Sequence, residues 1–402
     1  MEGPTTVTTT TTATATASGA APTTAPQSVQ PTTAPQSGQP DLAYGDTEEA
    51  LRAAVRRLFE DRLDPAALSA SYDEPAIDTA AFWRSLAGEI GVAGLLVPER
   101  LGGAGATERE AAVVFEEIGR AVAPTPFLTS AVLATEALLH AGDVDTVSAL
   151  AGGEQTGALL IPFSTTPGAV AASVDAVDGV LHGRVETVAG AAQADLLVTP
   201  VNGPDGLELH VVAADATRVV VEPVVSLDMT RPLADVELVG VRANRVDTAD
   251  AATALTAAVT TAVALLASEQ YGVAQWCLDT TLAYVKERRQ FGRVIGSYQA
   301  IKHRLADLWL EVSSARAAAR YAADTAAHGD LDATIAAHMA ASYCGDVAVR
   351  AAEECVQLHG GIGMTWEYPA HLYLKRAKAD QLAFGTGYWH RRRLAELIDL
   401  AA

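Results

Sequence analysis

The chain has 402 residues, of which 49% are hydrophobic, so we expect a buried core divided among two or three domains. Its 28 Lys and Arg residues against 49 Asp and Glu residues give a net charge of −21, which argues against a nucleic acid or an anionic membrane surface as the main partner. The three cysteines form no CxxC motif and no apolar run reaches about 18 residues, so we expect a cytoplasmic location without a disulfide framework, metal site or membrane span.

Residues 1–42 form a segment rich in Thr, Ala and Pro that differs from the rest of the chain. The segment repeats a nine-residue unit, PTTAPQSVQ at 22–30 and PTTAPQSGQ at 31–39. Because it has little large apolar surface to offset the entropy of ordering it, we expect residues 1–42 to be disordered. A spacer without specific function and a tether to a partner both fit this composition.

Residues 43–156 carry the apolar spacing of amphipathic helices, beginning with Leu51, Val55 and Leu58, and are predicted to form an all-helical domain. Between residues 157 and 247 the pattern changes to short runs rich in β-branched residues. Gly, Pro and Asp separate these runs at intervals of about ten residues. This spacing predicts a middle β domain with antiparallel strands, arranged as a small barrel or a sandwich.

Residues 248–402 are rich in Ala and predict a helical C-terminal domain. Proline is absent between Pro232 and Pro369, so long helices are permitted there. The apolar periodicity predicts four long helices, at 251–286, 297–326, 331–358 and 387–400, which is the number that a four-helix bundle needs.

Positive charge is concentrated in this last domain. Residues 286–304 and 375–393 together hold 12 of the 28 Lys and Arg residues. One explanation is a solvated helix face whose cations pair with Asp and Glu; the other is a polyanionic ligand, such as a dinucleotide or coenzyme A, held by arginine side chains. The glycines of QLHGGIGM at 357–364 follow a predicted helix and either stop it or allow close backbone approach to a ligand.

Several segments of the sequence are similar to one known family. The most specific are YVKERRQFGRVIGSYQAIKHRLADL at 284–308 and QLHGGIGMTWEYPAHLYLKRAKAD at 357–380. LLVPERLGGAGAT at 95–107 and VFEEIGRAVAPTPFL at 114–128 resemble the family's N-terminal helical domain, and SLDMTRPLADVELVGV at 226–241 resembles the exit from its β domain. With these motifs in the family's order, the chain resembles the acyl-CoA dehydrogenase family.

The resemblance runs from about residue 47 to the C-terminus and agrees with the organisation predicted above. It implies an α+β fold with an N-terminal all-helical domain, a middle β-barrel domain and a C-terminal four-helix bundle, assembled as homo- or hetero-oligomeric dimers or tetramers. It also implies FAD, bound between the β domain and the bundle, with its adenine end reaching a neighbouring subunit. The implied partners are acyl-CoA or another acyl thioester as substrate and a flavoprotein as electron acceptor.

The same resemblance assigns cofactor contacts to individual residues. The Arg and Phe of the family's RxxFG element map to Arg288 and Phe291, and the Gln and second Gly of its QxxGG element map to Gln357 and Gly361. Thr386, in the GT pair near the C-terminus, is implied as a flavin contact. An arginine near a pyrophosphate and glycine amides facing it are chemically reasonable.

The catalytic base of the family has no equivalent at its usual positions. In the family a carboxylate removes the α proton of the acyl thioester while a hydride leaves the β carbon for the flavin. The Glu that usually precedes the GT pair is Phe384 here, and the alternative position on the first bundle helix is Ala262. Glu269 lies seven residues beyond Ala262, on nearly the same helix face but about 10 Å further along. It is therefore a candidate base, with a structural role in the polar core as the alternative.

Three functions remain open from the sequence. The first is FAD-dependent α,β-dehydrogenation of an acyl thioester, carried out alone or as one subunit of a two-chain complex. The second is a non-catalytic structural subunit, and the third is a retooled enzyme of secondary metabolism on the same fold. The pattern resembles the subunit type of actinobacterial two-chain acyl-CoA dehydrogenases in which one chain carries the base and the other does not.

Overall fold

The computed structural model of the chain describes residues 40–73, 77–204 and 206–400. The predicted disordered segment, apart from residues 40–42, lies outside the described residues. Where the described chain begins, it lies against the helical body. Arg109 donates hydrogen bonds to the carbonyl oxygens of Asp41 and Ala43, and Arg320 donates one to that of Leu42.

The N-terminal part of the fold is helical, as predicted. Helix α4 begins with a capping box, in which Thr107 and Glu110 satisfy each other's free amides, and it is buried on all sides from Ala111 to Gly119. Short π-helical and 3₁₀ turns connect the helices. The helices are α1 (Asp46–Arg62), α2 (Pro65–Ala70), α3 (Thr79–Ser85), α4 (Glu108–Ala121), α5 (Thr135–Ala141) and α6 (Val144–Ala151).

The described residues between 157 and 245 form one eight-stranded sheet with the strand order β6-β7-β3-β2-β4-β5-β8, in which β1 also pairs with β4. Most pairs are antiparallel, as predicted, but β1 and β2 both run parallel to β4, which the sequence pattern did not predict. Alternating strand residues form a separate small core. The strands are β1 (Gly157–Leu159), β2 (Val174–Val177), β3 (Val180–Ala189), β4 (Leu196–Gly203), β5 (Gly206–Ala213), β6 (Val219–Val224), β7 (Leu233–Val241) and β8 (Asn244–Arg245).

The C-terminal part consists of helices joined by short turns and one small hairpin. Three long helices and the last one follow the predicted ranges closely. The elements are α7 (Ala251–Glu287), β9 (Arg289–Gln290), β10 (Arg293–Val294), α8 (Gln299–His328), α9 (Ala333–His359), α10 (Ala370–Leu382) and α11 (Gly387–Leu397).

Helix α10 was not among the predicted helices. Its buried side includes Arg376 and Asp380 beside Ala370, Leu372 and Ala377, so its core-facing stripe does not read as apolar in the sequence. The predicted bundle therefore has an additional short helix between α9 and α11.

Helix α7 runs through the centre of the molecule. An 18-residue window of it has a mean hydropathy of 1.7, which would suit a membrane span, but 67% of that window is buried within the protein. It crosses α4 so closely that a Cβ on Gly119 would lie 2.0 Å from the carbonyl oxygen of Glu269, and one on Gly272 would lie 2.1 Å from that of Glu116. Because glycine at these two positions lets α4 and α7 approach closely, the crossing sets the position of Glu269 in the core.

The helices and strands are consistent with the predicted division at 43–156, 157–247 and 248–402, which we retain as the proposed domain boundaries. Helix α6 ends at Ala151, the strands occupy 157–245, and α7 begins at Ala251. The predicted fold class, with helical, β and helical parts in that order, agrees with this arrangement.

Candidate active site and cofactor-binding corner

Arg288 and Phe291 lie at the end of α7, on the hairpin formed by β9 and β10. The amide of Arg288 donates to the carbonyl oxygen of Tyr284 and closes the last turn of the helix. At the hairpin tip both Phe291 and Gly292 have positive φ angles, 52° and 80°, as a two-residue turn of this kind requires. A bulky residue rarely adopts this conformation, and here it leaves the Phe291 side chain 93% exposed.

Gln357 and Gly361 lie at the end of α9, which is joined to the end of α7. The Tyr284 hydroxyl donates to the carbonyl oxygen of His359, and the two rings stack with centroids 4.3 Å apart. Gln357 and Gly361 are exposed, and no atom lies within 4 Å of the position that a Cβ on Gly361 would take. We call Arg288, Phe291, Gln357 and Gly361 the helix-end corner.

The Lys and Arg side chains of the two basic segments, 286–304 and 375–393, fall into two groups. Several of these cations pair with carboxylates; for example, Arg304 binds Glu354 and Arg391 binds Asp346, as a solvated helix face would. In contrast, Lys286, Arg288 and Arg289 form no ion pair with any residue that the structure describes. The exposed cations beside the helix-end corner are therefore available to an anionic ligand.

Thr386 lies on a different turn, between α10 and α11. Its hydroxyl oxygen caps α11 by accepting a hydrogen bond of 3.3 Å from the amide of Trp389. The structure therefore places four of the five predicted cofactor contacts at joined helix ends. The fifth, Thr386, lies on the same turn as Phe384.

Phe384 is packed tightly against a loop of the β domain. Its side chain is 1% exposed and meets the ring of Phe163 edge-on, with centroids 5.3 Å apart. Its amide donates a 3.0 Å hydrogen bond to the carbonyl oxygen of Phe163, so this N–H is already used within the chain. At the position of the usual base, the chain thus has an apolar contact between domains. Ala262, at the alternative position, is also fully buried.

Glu269 belongs to a buried cluster of five charged side chains, Asp228, Arg231, Glu269, Arg376 and Asp380, which we call the ion-pair cluster. Arg231 donates to both carboxylate oxygens of Glu269, at 2.7 and 2.6 Å, and Arg376 donates to one of them. Arg231 also binds Asp380, and Arg376 also binds Asp228. Because two guanidinium groups hold the Glu269 carboxylate, its contacts favour the polar-core alternative over a base.

Three carboxylates face two arginines in the ion-pair cluster, and the excess negative charge affects Asp380. Burial, followed by the charge of Glu269, raises the pKa of Asp380 to about 8. Burial, the largest single influence, would also raise the pKa of Asp228, but the charges of Arg376 and Arg231 and the hydrogen bonds from Thr230 and Arg376 together lower it. Near neutral pH the cluster is therefore balanced by a proton on Asp380.

The ion-pair cluster joins the three parts of the fold. Asp228 and Arg231 precede β7, Glu269 lies on α7, and Arg376 and Asp380 lie on α10. The Tyr72 hydroxyl, from the segment after α2, lies 3.4 Å from an Asp228 oxygen. Four of the five cluster members lie in the segments at 226–241 and 357–380, and Glu269 was the candidate base, but the sequence did not predict that the five meet.

A cavity of about 220 Å³ lies beside the cluster, between the β domain and α10. Phe163, Asp228, Arg231, Lys378 and Leu382 are among the residues that line it. The cavity has apolar walls and a charged edge, the usual character of a small-molecule site.

Comparison with known proteins identifies the family. Residues 45–146 match the family described as acyl-CoA dehydrogenase, N-terminal domain, and residues 251–398 match acyl-CoA dehydrogenase, C-terminal domain. The acyl-CoA dehydrogenase IpdE2 of Mycolicibacterium smegmatis is 35% identical over 350 residues, which cover 87% of this chain and 98% of that relative. The chain belongs to the acyl-CoA dehydrogenase family.

Two solved structures share this acyl-CoA dehydrogenase fold. The Tcur3481–Tcur3483 steroid ACAD, a G363A variant, has a TM-score of 0.78 at 31% identity, covering 88% of this chain and 98% of that one. The ChsE4–ChsE5 complex from Mycobacterium tuberculosis has a TM-score of 0.79 at 24% identity, covering 90% and 100%, and supports the fold. The predicted family, the fold class and an oxidoreductase of the acyl-CoA dehydrogenase type are thus confirmed.

Proposed function

We propose that the chain is one subunit of a two-chain, FAD-dependent acyl-CoA dehydrogenase of the cytoplasm, which catalyses α,β-dehydrogenation of an acyl thioester. The proposal rests on the residues that occupy the two positions where the family has its catalytic base. Phe384 and Ala262 cannot accept a proton, and the nearby carboxylate of Glu269 is held by Arg231 and Arg376. The reaction needs a carboxylate, so the partner chain supplies it.

The helix-end corner fits the diphosphate of FAD. Arg288 offers a guanidinium that has no ion-pair partner among the described residues, Gly361 offers backbone without a side chain in the way, and Phe291 offers an exposed ring. Such groups suit a dinucleotide held on a surface that a second chain also reaches. Gln357 adds an exposed amide, and Thr386 remains the proposed contact to the flavin ring. FAD held by these residues would supply the acceptor for the hydride that leaves the β carbon.

In this proposal the chain's own residues position the turn that carries Phe384 and Thr386, and they exclude water from it. The ion-pair cluster fixes α10 against α7 and the β domain, and so holds the turn that carries Phe384 and Thr386. Phe384 and Phe163 close that turn against the β domain and keep water out. Proton removal then falls to the partner's carboxylate, and electrons pass to an electron-accepting flavoprotein.

The substrate is an acyl-CoA or another acyl thioester. A steroid acyl thioester is a sensible first choice, because the relative at 31% identity is named as a steroid ACAD and its name pairs two components. A panel of short-chain, long-chain and steroid-side-chain thioesters tests this choice directly.

A combined purification tests the proposal. The chain is isolated from its source, copurifying chains are identified by mass spectrometry, and flavin is measured by absorbance. We expect a Glu-bearing family member to copurify, with FAD, and the pair to reduce an electron-accepting dye with an acyl thioester. The chain alone should not. A single-chain preparation that carries FAD and oxidises an acyl thioester would contradict the proposal.

The close packing of Phe384 on Phe163 favours a second candidate, a subunit that shapes the assembly without contributing to the cofactor site. Arg288→Ala separates the two, with Arg57→Ala as the control because Arg57 is an exposed arginine on α1. In a shared cofactor site, Arg288→Ala lowers the FAD content of an intact complex. In a purely structural subunit it leaves FAD unchanged or disrupts assembly.

A further inference from the structure

Two of the three cysteines meet where α7 packs on α9. Cys277 and Cys355 are both free thiols, both have no exposed surface, and their side chains lie close enough for each to shift the pKa of the other. Cys344, the third cysteine, is buried elsewhere on α9 and donates its thiol hydrogen to the carbonyl oxygen of Ala315. The fold therefore contains a thiol pair and a solitary thiol of equal burial.

His359 is positioned beside the thiol pair with a defined arrangement of its ring nitrogens. Nδ1 lies 2.7 Å from the carbonyl oxygen of Cys355, which only accepts, so Nδ1 carries a hydrogen. The same nitrogen lies 3.7 Å from the Cys355 sulfur. On the other side of the ring, Nε2 lies 2.7 Å from the Tyr368 hydroxyl. The ring is thus held with its Nδ1–H on the carbonyl oxygen of Cys355 and with the same nitrogen close to the sulfur.

We propose that Cys277 and Cys355 form an oxidisable dithiol site, which hydrogen peroxide converts into a disulfide between α7 and α9. The Cys355 thiolate attacks one peroxide oxygen and the O–O bond breaks, giving a sulfenic acid and, after proton transfer, one water. The Cys277 sulfur then attacks the sulfenic sulfur, the S–O bond breaks, and a second water leaves. Two thiols are oxidised and one peroxide is reduced to two waters.

The surroundings of Cys355 support its role as the attacking sulfur. Hydrogen bonds from Cys277, and after it from His359 and Thr281, lower the pKa of Cys355 to about 5 although burial opposes this. Burial raises the pKa of Cys344 to about 12, although a backbone hydrogen bond from Ala319 opposes this. Since the thiolate is the reactive form, the two cysteines should differ strongly in reactivity.

The dithiol site lies directly beneath the helix-end corner. Cys355 precedes Gln357 by two residues on α9, and the stacking of Tyr284 on His359 joins the site to the turn before Arg288. A disulfide there would link α7, about three turns before Arg288, to α9, about half a turn before Gln357. Because neither sulfur is exposed, we expect a bulky thiol reagent to be excluded. Hydrogen peroxide is small enough to be the oxidant that reaches the site.

Thiol counting on the natural complex or the full-length chain tests the site. The native protein is treated with hydrogen peroxide, then denatured in a maleimide, and modified thiols are counted by mass spectrometry. We expect the count to fall from three to one, with a cross-linked peptide that joins Cys277 to Cys355 and with Cys344 still alkylated. Three surviving thiols, or oxidation of Cys344 at the same rate, would overturn the proposal.

A pair of histidine variants tests the mechanism. His359→Gln should slow disulfide formation about tenfold, because the thiolate loses a donor. His328→Gln is the matched control: His328 ends α8 and contacts the carbonyl oxygen of Asp324, four residues earlier, just as His359 contacts that of Cys355, but no thiol is near. Equal rates in both variants would remove His359 from the mechanism, and the thiol count of the unaltered protein decides the site even if a variant misfolds.

Discussion

The helix-end corner and the ion-pair cluster both depend on arginine, yet their surroundings give them opposite chemistry. Arg288 is exposed and pairs with no carboxylate among the described residues, whereas Arg376 is fully buried and pairs with two. Burial with partners makes arginine part of the scaffold, and exposure without partners makes it available to a ligand. A motif that contains arginine therefore indicates a site only when its contacts are known.

Removing Arg376 should produce the largest effect. Arg376→Ala leaves Asp228 buried without its arginine partner and leaves Glu269 with one guanidinium instead of two, so we expect it to lower the free energy of unfolding by about 3–5 kcal/mol. Chemical denaturation measures this. Arg392→Ala, on exposed α11, is the control and should change stability by about 0.5 kcal/mol or less. Similar losses in both variants would mean that the cluster is not a structural centre.

Two phenylalanines extend the comparison to apolar side chains. Phe384→Ala should destabilise the chain by about 3 kcal/mol, because it removes a buried ring that joins two domains. Phe291→Ala should leave the free energy of unfolding within about 0.5 kcal/mol, because that ring is exposed. Thermal and denaturant unfolding distinguish these results. A large loss from Phe291→Ala would place that ring in the core rather than at a binding surface.

Asp380 should make stability depend on pH. Its pKa is raised to about 8 in the folded chain from an ordinary value of 3.8, so the folded state binds more protons than the unfolded state between these values. Its contribution is therefore fully present below about pH 4 and is lost as the pH rises through about 8. We expect the free energy of unfolding to fall between about pH 4 and about pH 8, and Asp380→Asn to reduce that slope. Equal slopes in both proteins would refute the proton on Asp380.

The smallest effect on stability should come from Arg288→Ala. The side chain is exposed, so the free energy of unfolding should change by about 0.5 kcal/mol or less, while FAD content falls. Equilibrium dialysis of the complex against FAD measures the binding. Unchanged FAD content in a well-folded variant would show that the helix-end corner does not bind the cofactor.

The sequence predicts elements well where local pattern and burial agree. Helices α7, α8 and α9 are rich in Ala and free of Pro, so their ranges were predicted closely. Helix α10 was missed because its buried face carries Arg376 and Asp380, which are charges that pattern analysis assigns to solvent.

The helix-end corner and the ion-pair cluster also differ in how far the sequence predicts them. The residues of the helix-end corner were found because each lies in a short motif, and the structure places them on joined helix ends. The ion-pair cluster was missed because its partners are distant in sequence: Arg376 is 107 residues from Glu269 and 148 from Asp228. No local pattern reports such pairing, so Glu269 remained a candidate base until its contacts were known.

The central claim is that this chain shares a dinucleotide site but does not supply the proton acceptor. Anaerobic titration of an acyl thioester into flavin-loaded protein tests it most directly, with the flavin absorbance as the signal. We predict that the chain alone, even with FAD added, keeps its oxidised flavin spectrum, and that the spectrum bleaches once the Glu-bearing partner is present. Bleaching by the chain alone would contradict the account.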